Sequence, residues 1–148
     1  MPLVGVIGTN SDAIVKAFSQ MSNKEIDCVA IISGNNSADV LVITEAMPIV
    51  KDLKLGAESY LVINSDAKGI TNLLSENNAT LITYGFNSRA CITASSIAND
   101  GLQVCIQRAF YGIDGGERQP QEFSIKLGYD ENPENVLAAA AALAIFGI

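Results

Sequence analysis

The stretch Val4-Gly5-Val6-Ile7-Gly8-Thr9-Asn10-Ser11-Asp12-Ala13-Ile14 decides the fold. Its apolar run ends at Ile7 and reads as a buried first strand. Ile14, Ala17, Phe18 and Met21 then recur at helical spacing. A strand, a Gly-Thr-Asn turn and a helix, in that order, aim backbone N–H groups and the positive end of the helix at an anion. A loop that grips a nucleotide this way also needs a Lys for the β/γ-phosphates and a Ser or Thr hydroxyl for magnesium. The chain offers Asp12 and Ala13 instead. A carboxylate there repels a polyphosphate: at an effective dielectric of ~20, one like charge at ~4 Å costs about 4 kcal/mol. Gly8, Thr9, Asn10, Ser11 and Asp12 are therefore the remnant of a phosphate loop in shape, without its chemistry.

Outward from this turn, the first half alternates apolar runs with helical or turn segments. Leu3–Gly8, Cys28–Ser33, Val40–Thr44, Ser59–Asn64 and Ala79–Tyr84 are strand candidates. Asp12–Ser22, Pro48–Leu53 and Ala67–Ser75 read as helical or partly so. Near-continuous apolar strands separated by helices imply a parallel sheet covered on both faces. Asn35-Asn36-Ser37 is a turn signal that leaves no room for a crossover helix, so the second or third strand is expected to pair irregularly. The second half changes character. Cys91–Ala98 and Leu102–Phe110 flank Asn99-Asp100-Gly101, a hairpin signal with Asp100-Gly101 as the expected turn. That register puts Cys91 near Phe110 and Cys105 near Ser96, so no disulfide is implied. Tyr111 to Pro120 reads as a loop and Gln121–Leu127 as a third antiparallel strand. Asn132-Pro133-Glu134-Asn135 opens a last helix: Asn caps, Pro suits the first helical position, and Glu complements the positive end. Its body, Val136 to Phe146, is apolar on every side and must be buried, here or against another subunit.

Composition narrows the function classes. The 148 residues make one domain, 1–148, with a sizeable core; 49% are hydrophobic and 17% charged. A net charge of −7 argues against nucleic acid and anionic membrane as partners. No run reaches the roughly 20 apolar residues of a membrane span. There is no histidine, which removes the commonest general base and metal ligand and every Ser-His or Cys-His nucleophile. Cys28, Cys91 and Cys105 show no paired spacing; an odd count with no signal peptide indicates reduced thiols and a cytoplasmic location. Cys28 reads as strand core.

Four stretches in order resemble the central ATPase domain of the Mur ligase family, which includes folylpolyglutamate synthetase and cyanophycin synthetase. The family's Gly-Thr-Asn-Gly-Lys-Thr/Ser loop stands here as Gly8-Thr9-Asn10-Ser11-Asp12-Ala13. Tyr60-Leu61-Val62-Ile63-Asn64-Ser65-Asp66 resembles its strand ending in Asn-x-Asp, and Leu81-Ile82-Thr83-Tyr84-Gly85-Phe86 the strand that closes on a Thr-x-Gly turn. Leu127-Gly128 through Asn132-Pro133-Glu134-Asn135-Val136-Leu137-Ala138-Ala139 resembles its Gly-x-His-Asn-x-x-Asn-x-Leu-Ala-Ala segment. The resemblance covers nearly the whole chain. It implies a Rossmann-like, mostly parallel α/β sheet flanked by helices, with a small antiparallel annex.

The departures matter as much. The loop Lys is Asp12 and its hydroxyl is Ala13. Where the family has a magnesium-binding Glu after the Asp39–Ile43 strand, Thr44 stands, with Glu45 one residue late. The family's His beside the nucleotide is Glu131. The stretch bearing a second metal-binding His and the modified Lys is missing between Glu45 and Asn64, and the flanking substrate and amino-acid domains have no counterpart in these residues. Asn132 matches the family Asn that contacts adenine, so a vestigial nucleoside site is expected there.

Each candidate also has an ordinary explanation. Ser11-Asp12 reads as a helix cap, with the Asp12 carboxylate a candidate stand-in for the missing phosphate. Glu45 and Asp66 lie at strand ends, where ligands bind in open α/β sheets; they are weak candidates for a metal site and otherwise solvated acids. Arg89 is a turn residue that could meet an anion or simply face solvent. Asn132 and Asn135 are explained by capping. The expected function is that of a non-catalytic, bacterial, Mur-ligase-like pseudoenzyme that binds, scaffolds or regulates, with no cofactor and a protein partner. The alternative is a residual nucleotide binder or ATP-dependent ligase, with ATP and magnesium, completed by a partner. The all-apolar last helix predicts a homo-oligomer, most simply a dimer.

Overall fold

Strands that are apolar on both faces can sit only inside a sheet covered on both sides. The computed structural model, which describes residues 2–22, 25–31, 38–45, 58–69, 79–98, 100–128 and 131–147, places them there. The elements in chain order are β1 (Leu3–Ile7), α1 (Ser11–Met21), β2 (Asp27–Ala30), β3 (Val40–Ile43), β4 (Tyr60–Asn64), β5 (Thr80–Tyr84), β6 (Ile92–Ala98), β7 (Gly101–Ile106), β8 (Phe110–Tyr111), β9 (Glu117–Arg118), β10 (Gln121–Lys126) and α2 (Pro133–Ile145). Among the described residues, eight strands form one sheet in the order β10-β7-β6-β5-β4-β3-β1-β2, and β8 and β9 form a separate two-stranded arm. Strands β1 to β6 pair in parallel; β7 pairs antiparallel with β6 on one side and β10 on the other, extending the sheet. The fold is α/β, with its antiparallel part at one edge.

The irregular pairing expected of the second or third strand does not occur. β1 lies between them: Val4 faces Cys28 of β2 on one side and Val40 of β3 on the other, both in regular parallel register. β2 and β3 are not neighbours, so no tight connection between adjacent parallel strands is needed. Asn35-Asn36-Ser37, Pro48–Leu53 and residues 70–75 lie outside the described residues; Ala67–Gly69, placed with a helical segment from sequence, form a turn.

Alternation along each strand builds two apolar layers. Val4, Val6, Val40, Val42, Val62, Ile82 and Tyr84 face α1 and α2 in one buried cluster, and Ile7, Ile31, Leu41, Ile43, Leu61 and Ile63 form a second on the opposite face. Gly5 belongs to that second face. A Cβ on it would lie 2.1 Å from Ile31 Cδ1 and 3.1 Å from Leu41 Cδ1, so the Ile31 side chain crosses β1 only because residue 5 has none.

The hairpin departs from its expected register. β6 ends at Ala98, which faces Gly101, so Gly101 opens β7 rather than lying in the turn. The register shifts between Ala94 and Ser96, leaving Ser95 as a bulge. Cys105 therefore faces Thr93, not Ser96, and Cys91 is next to Gln107, whose N–H donates to its carbonyl at 2.8 Å. All three thiols are free. Phe110-Tyr111 does not continue β7; it pairs with Glu117-Arg118 inside the stretch read as a loop.

α2 begins as expected: Asn132 Oδ1 accepts from the Glu134 N–H at 2.9 Å, and Pro133 holds the first turn. Every residue from Val136 to Phe146 is buried, at most 4% exposed. α2 packs on α1 and across strands β3 to β7. The apolar circumference that pointed to another subunit is thus covered within one chain, and this helix no longer argues for self-association. Its C-terminal end has no basic residue of its own. Arg118 of β9 supplies one, donating from Nε to the Ala144 carbonyl at 2.8 Å and from Nη2 to the Ile145 carbonyl at 3.1 Å. The Ile113 N–H also donates to the Ile145 carbonyl, at 2.9 Å. The arm is a clasp on the end of α2.

Candidate functional site

The order of the strands locates the site. The chain leaves β1 for β2 on one side and returns past β1 to β3 on the other, so the direction of winding reverses between β1 and β3. Ligands in open α/β sheets bind in the crevice at the carboxyl ends of such strands. Here those ends carry Gly8-Thr9-Asn10 after β1 and Thr44-Glu45 after β3.

The loop is shaped by close approach. Gly8 has φ +149°, and a Cβ on it would fall 1.7 Å from Thr44 Oγ1. Glycine therefore lets the turn press against the end of β3. Thr44 holds that contact through its N–H and Oγ1, which donate to the Ile7 carbonyl at 3.0 and 3.2 Å. The helix starts at Ser11, and Asn10 occupies the cap position without a side-chain cap bond. This corrects the reading of Ser11-Asp12 as the cap: both are already helical, and Asp12 is an exposed acid of the first turn, close to the helix dipole only.

The carboxylate that meets the loop is that of Glu45, not Asp12. Its Oε1 accepts from the Thr9 N–H at 2.8 Å and from Thr9 Oγ1 at 2.6 Å. Those two bonds, the hydroxyl's first, hold the Glu45 carboxyl below the usual carboxylate range. Glu45, two residues after β3, reaches across to the loop after the neighbouring β1. The second member of the expected carboxylate pair goes elsewhere. Asp66 Oδ2 accepts from the Phe86 N–H at 2.8 Å and Oδ1 from Asn87 Nδ2 at 2.6 Å, which pins the turn after β5. Neither acid is joined to the other in a common site. Arg89 sits in that same turn; its N–H donates to Asn87 Oδ1 and its carbonyl accepts from Arg108 Nη2, so its backbone is structural.

Asn64 links the crevice to α2. It is 5% exposed and donates from Nδ2 to Glu134 Oε1 at 2.8 Å and to the Thr44 carbonyl at 3.3 Å, while Oδ1 accepts from the Asp66 N–H at 2.9 Å. Sequence reading gave Glu134 only a dipole role; the bond to Asn64 spans 70 positions and carries no local signal.

Asn132 lies apart from the loop. It lines a cleft of about 300 Å³ between α1 and the start of α2, with Ala13, Lys16, Ala17 and Gln20 on one wall and Gly128, Glu131, Asn135 and Val136 on the other. Glu131 shapes the far wall by accepting from the Gly128 N–H at 2.6 Å. Lys16 brings the positive charge of this lining. Lys16 and Gln20 were missed from sequence, although Ala13, Lys16, Ala17 and Gln20 fall on one helical face. Of the expected nucleotide residues, Thr9 meets Glu45, Gly8 packs against Thr44, and Asn132 lines the cleft along α1. Among the described residues no group of three or more His, Cys, Asp or Glu side chains gathers as a metal site, and no helix is long and apolar enough to cross a membrane.

Neither a protein-family model nor a curated protein matches this chain. Among solved structures it is similar to E. coli FolC in complex with DHPP and ADP, with a TM-score of 0.64 and 11% sequence identity over 99% of this chain. The chain spans 53% of the FolC chain, about half its length. At that identity the likeness shows the fold, which is that of a Mur-ligase-family protein.

Proposed function

We propose that this domain is a non-catalytic Mur-ligase-like module that works by binding a partner, as a scaffold or regulator. One observation carries the reading: the loop N–H and hydroxyl that would meet a phosphate are bonded to Glu45 of the same chain. Asp12 adds a second negative charge at the start of α1, and Ala13 offers no magnesium ligand. A triphosphate would have to displace one carboxylate and approach another, without the Lys that normally offsets such repulsion. The crevice residues instead act on the fold. Glu45 ties the end of β3 to the β1 loop, Asn64 ties β4 to α2, and Asp66 ties β4 to the turn after β5. The test is an assay for magnesium-dependent ADP release by the purified protein. The expected result is no release above background; turnover at ordinary enzyme rates, about 1 s⁻¹ or more, would overturn the proposal.

A second reading has its own support. The cleft beside Asn132 is of nucleoside size and offers the amides of Gln20, Asn132 and Asn135 and the Lys16 ammonium over a floor of Ala13, Ala17 and Val136. FolC was solved with ADP. On this reading the domain holds a nucleoside by its base, without phosphate recognition. Equal affinity for adenosine and ATP, each reduced by Asn135→Leu, supports it; the absence of saturable adenosine binding rejects it.

A further inference from the structure

We infer that β10 is a self-recognition strand: two copies of this chain pair antiparallel, edge to edge, about a two-fold axis at Ser124, and join their two sheets into one. The inference goes beyond the reading above. β10 takes no part in the crevice at β1 and β3, and the partner it names is a second copy of the chain.

The edge is open and regular. β10 ends the eight-stranded sheet, so among the described residues only one of its sides is paired. Its register on β7 runs without a shift from Gln121 to Lys126. One bond fixes which backbone groups face outward. The Leu127 N–H donates to the Asp100 carbonyl at 3.0 Å, and Ile125 and Phe123 stand opposite Leu102 and Val104 in the same register. Alternate residues of an antiparallel strand bond to a given neighbour. The odd positions therefore bond to β7, and Glu122, Ser124 and Lys126 turn their N–H and C=O groups to the open edge. All three residues are exposed. A row of unpaired donors and acceptors is a template for another strand.

The side chains select which strand fits. From Ser124 the chain reads Phe123 then Glu122 in one direction and Ile125 then Lys126 in the other. With Ser124 opposite Ser124 of the partner subunit, Glu122 faces Lys126 of the partner subunit and Phe123 faces Ile125 of the partner subunit. The two-fold axis repeats both pairs. Unlike charges and apolar pairs are the combinations that stabilise facing strands. This register also sets outward-facing residues against outward-facing residues, so Glu122, Ser124 and Lys126 exchange backbone bonds with the partner. A slip of one residue opposes outward groups to inward ones. A slip of two, in either direction, leaves Glu122 and Lys126 opposite Ser124, Pro120 or Gly128, with no charge to meet. Among the described residues neither Glu122 nor Lys126 has an ion-pair partner in its own chain. Phe123 and Ile125 are only half-buried against the main core, so pairing removes more of their apolar surface from water. The other edge of the sheet lacks these features. β2 is Asp27-Cys28-Val29-Ala30, with one charge, so its self-pairing opposes no unlike charges.

The experiment is sedimentation equilibrium of the whole chain as its concentration rises to about 1 mM. The natural chain is expected to move from 15.6 kDa toward twice that mass. Lys126→Glu alone and Glu122→Lys alone each set like charges opposite one another, twice per dimer. Each is expected to weaken association by about tenfold or more. In an equimolar mixture of the two variants every facing charge is again unlike, and the mixture is expected to associate as tightly as the natural chain. Amide hydrogen exchange locates the contact: the Glu122, Ser124 and Lys126 amides slow as concentration rises, whereas those of Phe123 and Ile125 are slow throughout. A natural chain that keeps the monomer mass overturns the pairing. So does a natural dimer that both single variants leave intact, a mixture no tighter than either variant alone, or outward amides that ignore concentration. Each of these results leaves the non-catalytic reading standing, and ADP release by the natural chain overturns that reading alone.

Discussion

Replacing Arg118 by alanine tests whether a residue that looks like surface in the sequence holds the central helix. Its guanidinium is 12% exposed and makes four contacts: Ala144 and Ile145 carbonyls at the end of α2, the Gly116 carbonyl, and Asp114 Oδ1. The two α2 carbonyls are the ones that matter for stability. They are among the last acceptors of the helix, and each also accepts a backbone N–H, from Gly147 at Ala144 and from Ile113 at Ile145, so Arg118 supplies a further bond to each. A hydrogen bond to a charged donor contributes roughly 1.5–3 kcal/mol, and a cation at a helix C-terminus about 0.3–1 kcal/mol. Water can reach these carbonyls once the side chain is gone, since Arg118, Ala144 and Gly147 line a surface cavity, and that recovers part of the loss. The expected net cost of Arg118→Ala is about 2–4 kcal/mol, read as a lower midpoint in urea unfolding at an unchanged slope. Arg118→Lys, with one ammonium in place of a planar fork, should recover less than half. Asp114→Asn should cost far less than either, because that end of the ion pair is exposed. An Arg118→Ala protein within about 0.5 kcal/mol of the natural one, the range of neutral surface changes, would refute the clasp.

Asn132→Ala removes the acceptor that caps α2 and should cost about 1 kcal/mol in the same assay; an unchanged midpoint would mean that water replaces the cap. Burial pushes the Cys28 thiol up to about 12, so its thiolate is scarce at pH 8 and alkylation in the native protein should be much slower than in urea; equal rates, read by mass spectrometry, would contradict its placement. Glu45 is ionised more readily in the folded chain than in the unfolded one. Its contribution is therefore fully present above the unfolded value of roughly 4.3 and is lost as pH falls through the lower folded value. Stability of Glu45→Gln should then fall less steeply than that of the natural chain on acidification below pH ~4, and parallel curves would show that Thr9 does not hold the carboxylate. The effect is small because the pair is exposed.

The parallel strands were readable because a strand buried on both faces must be a short unbroken apolar run, as Val40–Ile43 is. The hairpin departs from its expected register in two places: it closes with Ala98 facing Gly101 rather than around Asp100-Gly101, and the Ser95 bulge then absorbs a further residue that regular alternation cannot count, so Cys105 faces Thr93, three positions from Ser96. The two-residue strands of the arm, Phe110-Tyr111 and Glu117-Arg118, are too short to show a period, and they are what convert Arg118 from a surface charge to a helix cap. The last helix shows the limit of pattern reading most plainly. Its sequence says that all sides are buried, and only the packing of α1, five strands and the arm says by what. At the candidate site the Gly8-Thr9-Asn10 turn was legible from its glycine and its place after a strand. Its occupant was not, because Thr9 and Glu45 lie 36 positions apart and meet only once β3 is set beside β1.

The central claim is that Glu45 fills the place a phosphate would take, leaving a domain with the shape of a nucleotide-binding fold and no grip on a triphosphate. Calorimetric titration of the natural chain with ATP and magnesium tests it most directly. The account predicts no difference in binding heat between ATP and adenosine, with or without magnesium. A saturable, magnesium-dependent heat for ATP at micromolar affinity, near −8 kcal/mol, and lost in Thr9→Val, would contradict it.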